Sequence, residues 1–316
     1  MNTLLEIKNL KKYFPTKKGG LARAVDGVSL ALEENQTLGI VGESGCGKTT
    51  LAKMVLKLIR PDQGVITFNG LDLTRLSQAQ FRPYRRLIQI IFQDPYSSLD
   101  PRFTVRKTLL EAAGAIKSKM TNQDIERQLL TVGLAKDIDR RFSFEFSGGQ
   151  CQRINLARAL IVMPKLLILD EAVSSLDVSL QARIIELLSN LKDRFGISYL
   201  FISHNLRIVR KISDIIAVMY LGKILELASA QRLFSVPLNP YTQALISAAA
   251  DKNVVLKGEV ASNTNIPEGC RFNSRCLYVK DICRHSEPAL EEKEAGHFSA
   301  CHFADNFLMR PRLSER

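Results

Sequence analysis

No stretch of this chain approaches about eighteen uninterrupted apolar residues, so the sequence predicts no membrane-spanning helix. Its opening, MNTLLEIKNLKKYF, lacks the apolar core and small-residue cleavage site of a signal peptide, which predicts a chain that is not exported. The basic residues make no long tract and are not interleaved with aromatics, which favours a solvated basic surface over a dedicated nucleic-acid face. No internal repeat or low-complexity segment is present. The six cysteines do not suggest a disulfide framework: Cys46 and Cys151 stand alone, and the other four crowd together near the end.

What is present suits an ordinary globular protein. The 316 residues, 46% hydrophobic and 24% charged, suffice for one sizeable core and an appendage. Forty-four Lys and Arg against 32 Asp and Glu leave a formal charge of +12, which favours polyanionic partners: nucleotide, nucleic acid or anionic lipid.

LLEIKNL and RAVDGVSLAL read as short strands, and TLGIVG at 37–42 as an apolar strand running into a glycine-rich loop. KTTLAKMVLKLI from Lys48 has helical spacing up to Pro61, Asp62 and Gly64. From about 75 to 162 the spacing predicts a helical insertion. KLLILDEA and SYLFISH are continuous apolar runs separated by the amphipathic SLQARIIELLSNLKDRF, which suits strands buried on both faces of a parallel sheet. DIIAVMYLGKILEL is a last strand region, and SAQRLFS and NPYTQALISAAA short helices. Composition turns polar near 251, placing a domain boundary between Pro237 and Ile266.

Gly42, Glu43, Ser44, Gly45, Cys46, Gly47, Lys48 and Thr49 match G-x-x-x-x-G-K-[ST]. Glycines there let backbone N–H groups curl around phosphates at a helix start, with Lys48 reaching the β- and γ-phosphates and Thr49 a Mg²⁺. The strand Leu166–Leu169 ends in Asp170 and Glu171, where one acid could hold the Mg²⁺ shell and the other orient or deprotonate water. Phe146, Ser147, Gly148, Gly149 and Gln150 read FSGGQ, directly before an amphipathic helix.

FSGGQCQR resembles the LSGGQ signature of ABC ATPases, and it lies between the phosphate loop and LLILDE, in that family's order. Gln93 in IIFQDP resembles the Q-loop, Ser175, Leu176 and Asp177 the D-loop, and His204 in FISHN the switch histidine. The resemblance implies an α/β P-loop NTPase: a RecA-like core, an antiparallel β subdomain and a helical subdomain at about 95–162, within a nucleotide-binding domain at 1–237. A linker would follow at 238–265, and a small Cys-rich extension at 266–316.

It further implies that two such domains pair head to tail around ATP. Glycine-loop residues Gly42 to Thr50, including Thr50, would bind the ATP of their own subunit. Ser147, Gly148, Gly149, Gln150 and Asp177 would serve the opposite one. Glu171, His204, Lys48 and Gln93 would be catalytic, with Thr49, Gln93 and Asp170 holding Mg²⁺. Phe14 is the aromatic assigned to stack on adenine, with Tyr13 the alternative. Phe146 for leucine, Ala172 for proline and Cys151 for a polar residue depart from the usual pattern without removing a phosphate, metal or water ligand.

Outside these motifs, IIFQDPYSSLDPRFTV, EAVSSLDVSLQARIIELL, VMYLGKILE and NPYTQAL look like the F-type ATPases of oligopeptide and dipeptide importers. That implies a D-type companion ATPase, two membrane permeases and an external binding protein, with this chain peripheral on the cytoplasmic face of the plasma (inner) membrane. Nickel and glutathione importers share the motifs. Soluble ABC ATPases of ribosomes or DNA are the other alternative, although they usually carry two cassettes or a coiled-coil insertion, so no specific nucleic-acid partner is expected. Cys270, Cys276, Cys283 and Cys301 follow C-x₅-C-x₆-C-x₁₇-C. The likeness to importer extensions implies a [4Fe–4S] cluster, with tetrahedral zinc or unligated thiols as alternatives and His285, His297 and His302 as substitute ligands.

Overall fold

The computed structural model describes residues 2–16, 19–250 and 262–308. Residues 251–261 of the expected linker and 309–316 of the expected extension lie outside the described residues. The chain begins with β1 (Thr3–Pro15), β2 (Leu21–Glu33), β3 (Thr37–Val41), α1 (Lys48–Val55), β4 (Gln63–Phe68) and β5 (Leu71–Asp72). There follow α2 (Gln78–Phe81), β6 (Ile88–Ile91), α3 (Val105–Ala115), α4 (Asn122–Thr131), α5 (Gly148–Ile161), β7 (Leu166–Asp170), α6 (Val178–Phe195) and β8 (Ser198–Ser203). The last elements are α7 (Leu206–Ile212), β9 (Ile215–Tyr220), β10 (Lys223–Ser229), α8 (Ala230–Ser235), α9 (Pro240–Ala250), α10 (Ile282–His285), β11 (Glu291–Glu294), β12 (His297–Ser299) and α11 (Asp305–Leu308). Two compact units result, one of residues 1–75 with 202–316, the other of 76–201.

In the first unit, β2-β1-β4-β5 form an antiparallel sheet. Val28, Leu30 and Leu32 of β2 alternate with exposed residues, so one face of that strand is buried and its register is fixed. A second run, β11-β12-β10-β9-β3, has β3 and β9 parallel and the rest antiparallel. β3 is buried throughout and β9 is buried beyond its first residue, which is why both read as unbroken apolar runs.

The helix from Lys48 ends at Val55, earlier than its spacing predicts. Lys57 turns left-handed at φ 57°, its N–H bonds Met54 O, and Leu58 N–H bonds Lys53 O, closing the helix end in a Schellman pattern. The Lys57 ammonium is held in place by the Leu73 and Thr74 carbonyls at 2.8 and 3.2 Å.

In the second unit β8-β7-β6 run in order, β6 parallel to β7 with Ile88 opposite Leu166 and Ile91 opposite Leu169. β6 lies inside the stretch whose spacing predicts only helix, which the structure corrects. IQII is too short to show a period, and its backbone is satisfied by β7 rather than by its own neighbours. Helices α3, α4 and α5 fill most of the remainder of that stretch, and α6 buries Ile184, Ile185, Leu188 and Leu191 along one face as its pattern predicts.

The tail is knitted into the first unit. β12 pairs with β10, and Val236, Leu238, Ala304 and Phe307 form a small core. Glu226 of β10, fully buried, accepts the Leu238 and Asn239 N–H groups at 2.7 and 2.9 Å and meets His297 Nε2 at 2.7 Å. A buried carboxylate with these partners is satisfied rather than stranded.

Candidate nucleotide site

The glycine loop joins β3 directly to α1. A Cβ on Gly42 would run into the Met219 carbonyl oxygen, and one on Gly47 into that of Ala24, so only glycine fits at either place. Gly47, at φ 114°, is also the N-cap of α1, and no side chain caps that helix. Its start therefore presents backbone N–H groups at the positive end of the peptide dipoles. Lys48, 4% exposed, donates to Gly42 O at 2.8 Å and Glu43 O at 3.0 Å, arching over the loop. Cys46 Sγ is a further acceptor at 3.7 Å, and burial pushes this thiol's pKa up.

Three more side chains of this unit hold the loop, none of them among the site residues expected from the motifs: Tyr241 was legible only as part of NPYTQAL, with no role at the loop. Tyr241 Oη accepts the Glu43 N–H at 3.0 Å, Asn263 Nδ2 donates to Gly45 O at 2.6 Å, and Arg275 grips both Glu43 carboxylate oxygens. Arg275 directly precedes Cys276 of the cysteine pattern, but nothing in the spacing of the cysteines tells where it reaches.

Phe14, near the end of β1, is 36% exposed with the Lys12 ammonium 5.5 Å from its ring centre. Tyr13 is committed elsewhere: its hydroxyl bonds Asp26 at 2.5 Å, and burial together with that bond pushes its pKa up to about 12. His204 is exposed just beyond β8, before α7, whose N-cap Asn205 accepts from the Arg207 and Ile208 N–H groups.

The second unit carries the remaining motifs. Asp170, 5% exposed, ends β7, and Glu171 follows at φ 52°, a left-handed conformation that costs a non-glycine residue about 1–3 kcal/mol. Its carbonyl accepts from Ser174 Oγ at 2.8 Å, which helps to hold that conformation. Gln152 of α5 donates to Ala172 O at 2.7 Å, tying the signature helix to the residue after Glu171.

Gln93 is exposed after β6. The chain beyond it is gripped by the signature segment: Tyr96 Oη donates to Phe146 O at 3.1 Å, Asn155 Nδ2 to Pro95 O at 2.8 Å, and Arg158 Nη1 to Ser98 O at 2.6 Å. Within this unit the Q-loop and signature are therefore one hydrogen-bonded assembly.

Ser147 caps α5 in a reciprocal box with Gln150, its N–H donating to Gln150 Oε1 at 3.0 Å. Gly148 is half-buried, and Gly149 is buried against Leu180. Phe146 is buried with the Arg141 guanidinium 4.4 Å from its ring centre, so the phenyl ring is accommodated where leucine is usual. Cys151 is fully buried, its thiol raised to about 11 by burial. Asp177 caps α6, accepting from Leu180 N at 2.9 Å and Ser179 Oγ at 2.8 Å, and these bonds lower its pKa.

Cys270, Cys276, Cys283 and Cys301 line one small cavity with Phe272, Tyr278, Phe303 and Phe307. Burial, with a smaller contribution from the neighbouring thiols, pushes Cys270 up to about 12 and Cys301 up to about 11. Among the described residues no group of three or more His, Cys, Asp or Glu is arranged to hold a metal ion. Neither the expected [4Fe–4S] cluster nor its zinc alternative therefore finds support among the described residues. The candidate histidines are engaged elsewhere: His297 with buried Glu226, His302 Nε2 with Ser286 O at 2.9 Å, and His285 3.7 Å from Asp281.

The ABC transporter family pattern matches residues 25–174, and that of the oligopeptide/dipeptide transporter C-terminal region matches 225–283. The oligopeptide transport ATP-binding protein AppF of Bacillus subtilis is 45% identical, over 95% of this chain and 97% of that one. The putative oligopeptide transport ATP-binding protein YkfD of the same organism is 43% identical, over 96% of each. Among solved structures, cbiO1 of Clostridium perfringens, part of an ABC transporter complex, superposes with a TM-score of 0.65 at 24% identity, covering 74% of this chain and 91% of that one. A bacterial ABC transporter cassette solved as a dimer gives 0.65 at 23% identity, over 72% and 99%. These likenesses establish the RecA-like ATPase fold with its antiparallel β and helical subdomains. The chain belongs to the ABC transporter family, among the ATP-hydrolysing subunits of its oligopeptide/dipeptide group.

Proposed function

We propose that this chain hydrolyses ATP to drive peptide import, pairing with a companion ATPase on two membrane permeases that receive cargo from an external binding protein. The observation that carries the reading is the joint presence of an intact phosphate loop, with Lys48 arched over it, and a C-terminal region of oligopeptide/dipeptide type. In this reading residues 1–237 are the nucleotide-binding domain, 238–265 the connection and 266–316 the extension. The chain works from the cytoplasmic face of the plasma membrane; no helix among the described residues is long and apolar enough to cross a membrane.

Residues of the glycine loop, from Gly42 to Thr50, receive the triphosphate on backbone N–H groups, and Lys48 turns from the loop carbonyls to the β- and γ-phosphates. Thr49, Asp170 and Gln93 offer hydroxyl, carboxylate and amide oxygens, a hard donor set that suits Mg²⁺. Bound there, the ion supplies neutralisation of the phosphate oxygens. Glu171 orients and deprotonates the attacking water, and His204 holds the γ-phosphate and that water. Phe14 stacks on adenine. Ser147, Gly148, Gly149 and Gln150, with Asp177, face the companion's nucleotide.

Co-purification of the tagged chain from its native membrane at moderate salt tests the assembly. A second ATPase and two multispanning permeases are expected. Ribosomes or DNA without a permease would overturn the transport reading and leave the ATPase chemistry standing.

A further inference from the structure

Glu43 places a carboxylate in a loop built to receive a triphosphate, where an uncompensated negative charge opposes binding. The structure compensates it from 232 residues away in sequence: Arg275 Nη1 donates to Oε2 at 2.7 Å and Nη2 to Oε1 at 2.9 Å, a bidentate pair. The Arg275 side chain is 3% exposed and that of Glu43 21%. Its guanidinium carbon lies 5.9 Å from the ring centres of both Tyr220 and Phe272, and Nη1 also donates to Tyr220 Oη at 3.3 Å. The aromatic rings hold the fork in place, and the salt bridge raises the Arg275 pKa still further above the usual guanidinium value.

Arg275 does not act alone. Arg271, four residues earlier, is 3% exposed and is fixed by Asp26, the Leu221 carbonyl and Glu287, the last at 2.8 Å. Asn263 and Tyr241 meet the same loop at Gly45 and Glu43. A buttress whose only task was adhesion would not require charge, because an apolar pair of similar volume commonly holds as well as a buried ion pair. An apolar residue at position 275 alone would leave the Glu43 carboxylate uncompensated in the loop.

We propose that Arg275 is a positioning residue of the ATP site: by pairing with Glu43 it cancels that charge and fixes the loop, so the cysteine-rich tail sets nucleotide affinity. The inference rests on the reading of the glycine loop as the triphosphate cradle. It assigns to the tail an effect on ATP binding that leaves the chemical step alone.

The test is titration of the full-length chain with a fluorescent ATP analogue and Mg²⁺, with ATPase kinetics and melting temperature measured on the same preparations. Arg275→Met is expected to weaken binding about tenfold and raise KM in parallel, with kcat at saturating ATP within about threefold of the parent. Glu43→Gln, which removes the carboxylate and leaves Arg275 in place, is expected to tighten binding at least about twofold. Glu43→Gln with Arg275→Met is expected to recover most of the lost affinity without recovering melting temperature, since the pair is still broken. A double variant as weak as Arg275→Met, or a Glu43→Gln protein that binds no tighter than the parent, would overturn the proposal, and the latter result holds even if Arg275→Met fails to fold. Lys48→Ala separates the two levels. If it loses ATP while Arg275→Met binds normally, only this inference fails; if it binds normally too, the cradle reading falls with it.

Discussion

The phosphate loop and the signature loop both lead glycines into a helix, but they treat the helix start differently. The first leaves α1 without a side-chain cap and arches Lys48 over its carbonyls, while the second closes α5 with Ser147 and Gln150. An uncapped start keeps its N–H groups for an anion, at a cost of about 1 kcal/mol relative to a capped one. A capped start is stable alone and spends part of its donor set on itself. The first unit is thus organised for binding a polyanion, with Arg275 and Asn263 bracing the loop. In the second, α5 is bonded both to Ala172, the residue after Glu171, and to the chain after Gln93.

The sharpest way to separate the two regions is to remove chemistry while keeping binding. Glu171→Gln keeps shape and volume, and steady-state turnover in the assembled complex is expected to fall on the order of 10²–10³-fold, with ATP affinity within about threefold of the parent. Undiminished turnover would remove Glu171 from its role. Next in size is the contrast between glycines. Gly47→Ala puts a Cβ against the Ala24 carbonyl in a left-handed conformation, so it should cost about 1–3 kcal/mol of stability and lose ATP binding. Gly148→Ala meets only Leu176 and Tyr96 at ordinary contact distances, 3.7 Å and beyond, and should leave the melting temperature within about 2 °C. Equal melting temperatures for the two variants would erase the distinction.

Much of this was legible in sequence because the motifs are local: Lys48, Asp170, Glu171 and the SGGQ box each sit where a strand meets a loop or a loop meets a helix. Strands β3, β7, β8 and β9 were legible because burial on both faces leaves unbroken apolar runs. β6 was not, since four residues cannot display a period and only pairing with β7 makes them a strand. The same holds for β12, whose three residues are a strand because β10 and β11 bond them. Arg275 was missed for a different reason. Its partner Glu43 is distant in sequence, and a single chain holds no local trace of such a pair. The four tail cysteines were expected to converge, and they do line one cavity, but spacing alone could not reveal that among the described residues no group is arranged to hold a metal ion.

The smallest effects test whether the second helix start is as self-sufficient as its hydrogen bonds suggest. Ser147→Ala removes the oxygen that accepts the Gln150 N–H, and loss of such a cap costs about 0.5–2 kcal/mol. ATP binding by the isolated chain should not change, because this cap serves α5 and not the phosphate loop. Asp177 extends the test to pH. Hydrogen bonds from the Leu180 backbone and the Ser179 hydroxyl depress its pKa in the folded state. A depressed carboxylate stabilises the fold above its unfolded pKa and loses that contribution as pH falls through the folded value. The Asp177→Asn protein should therefore show a shallower loss of melting temperature on acidification below about pH 4 than the parent, since asparagine caps α6 without titrating. Identical acid limbs for the two proteins would mean that Asp177 keeps an ordinary carboxylate pKa and that its cap is made only weakly in solution.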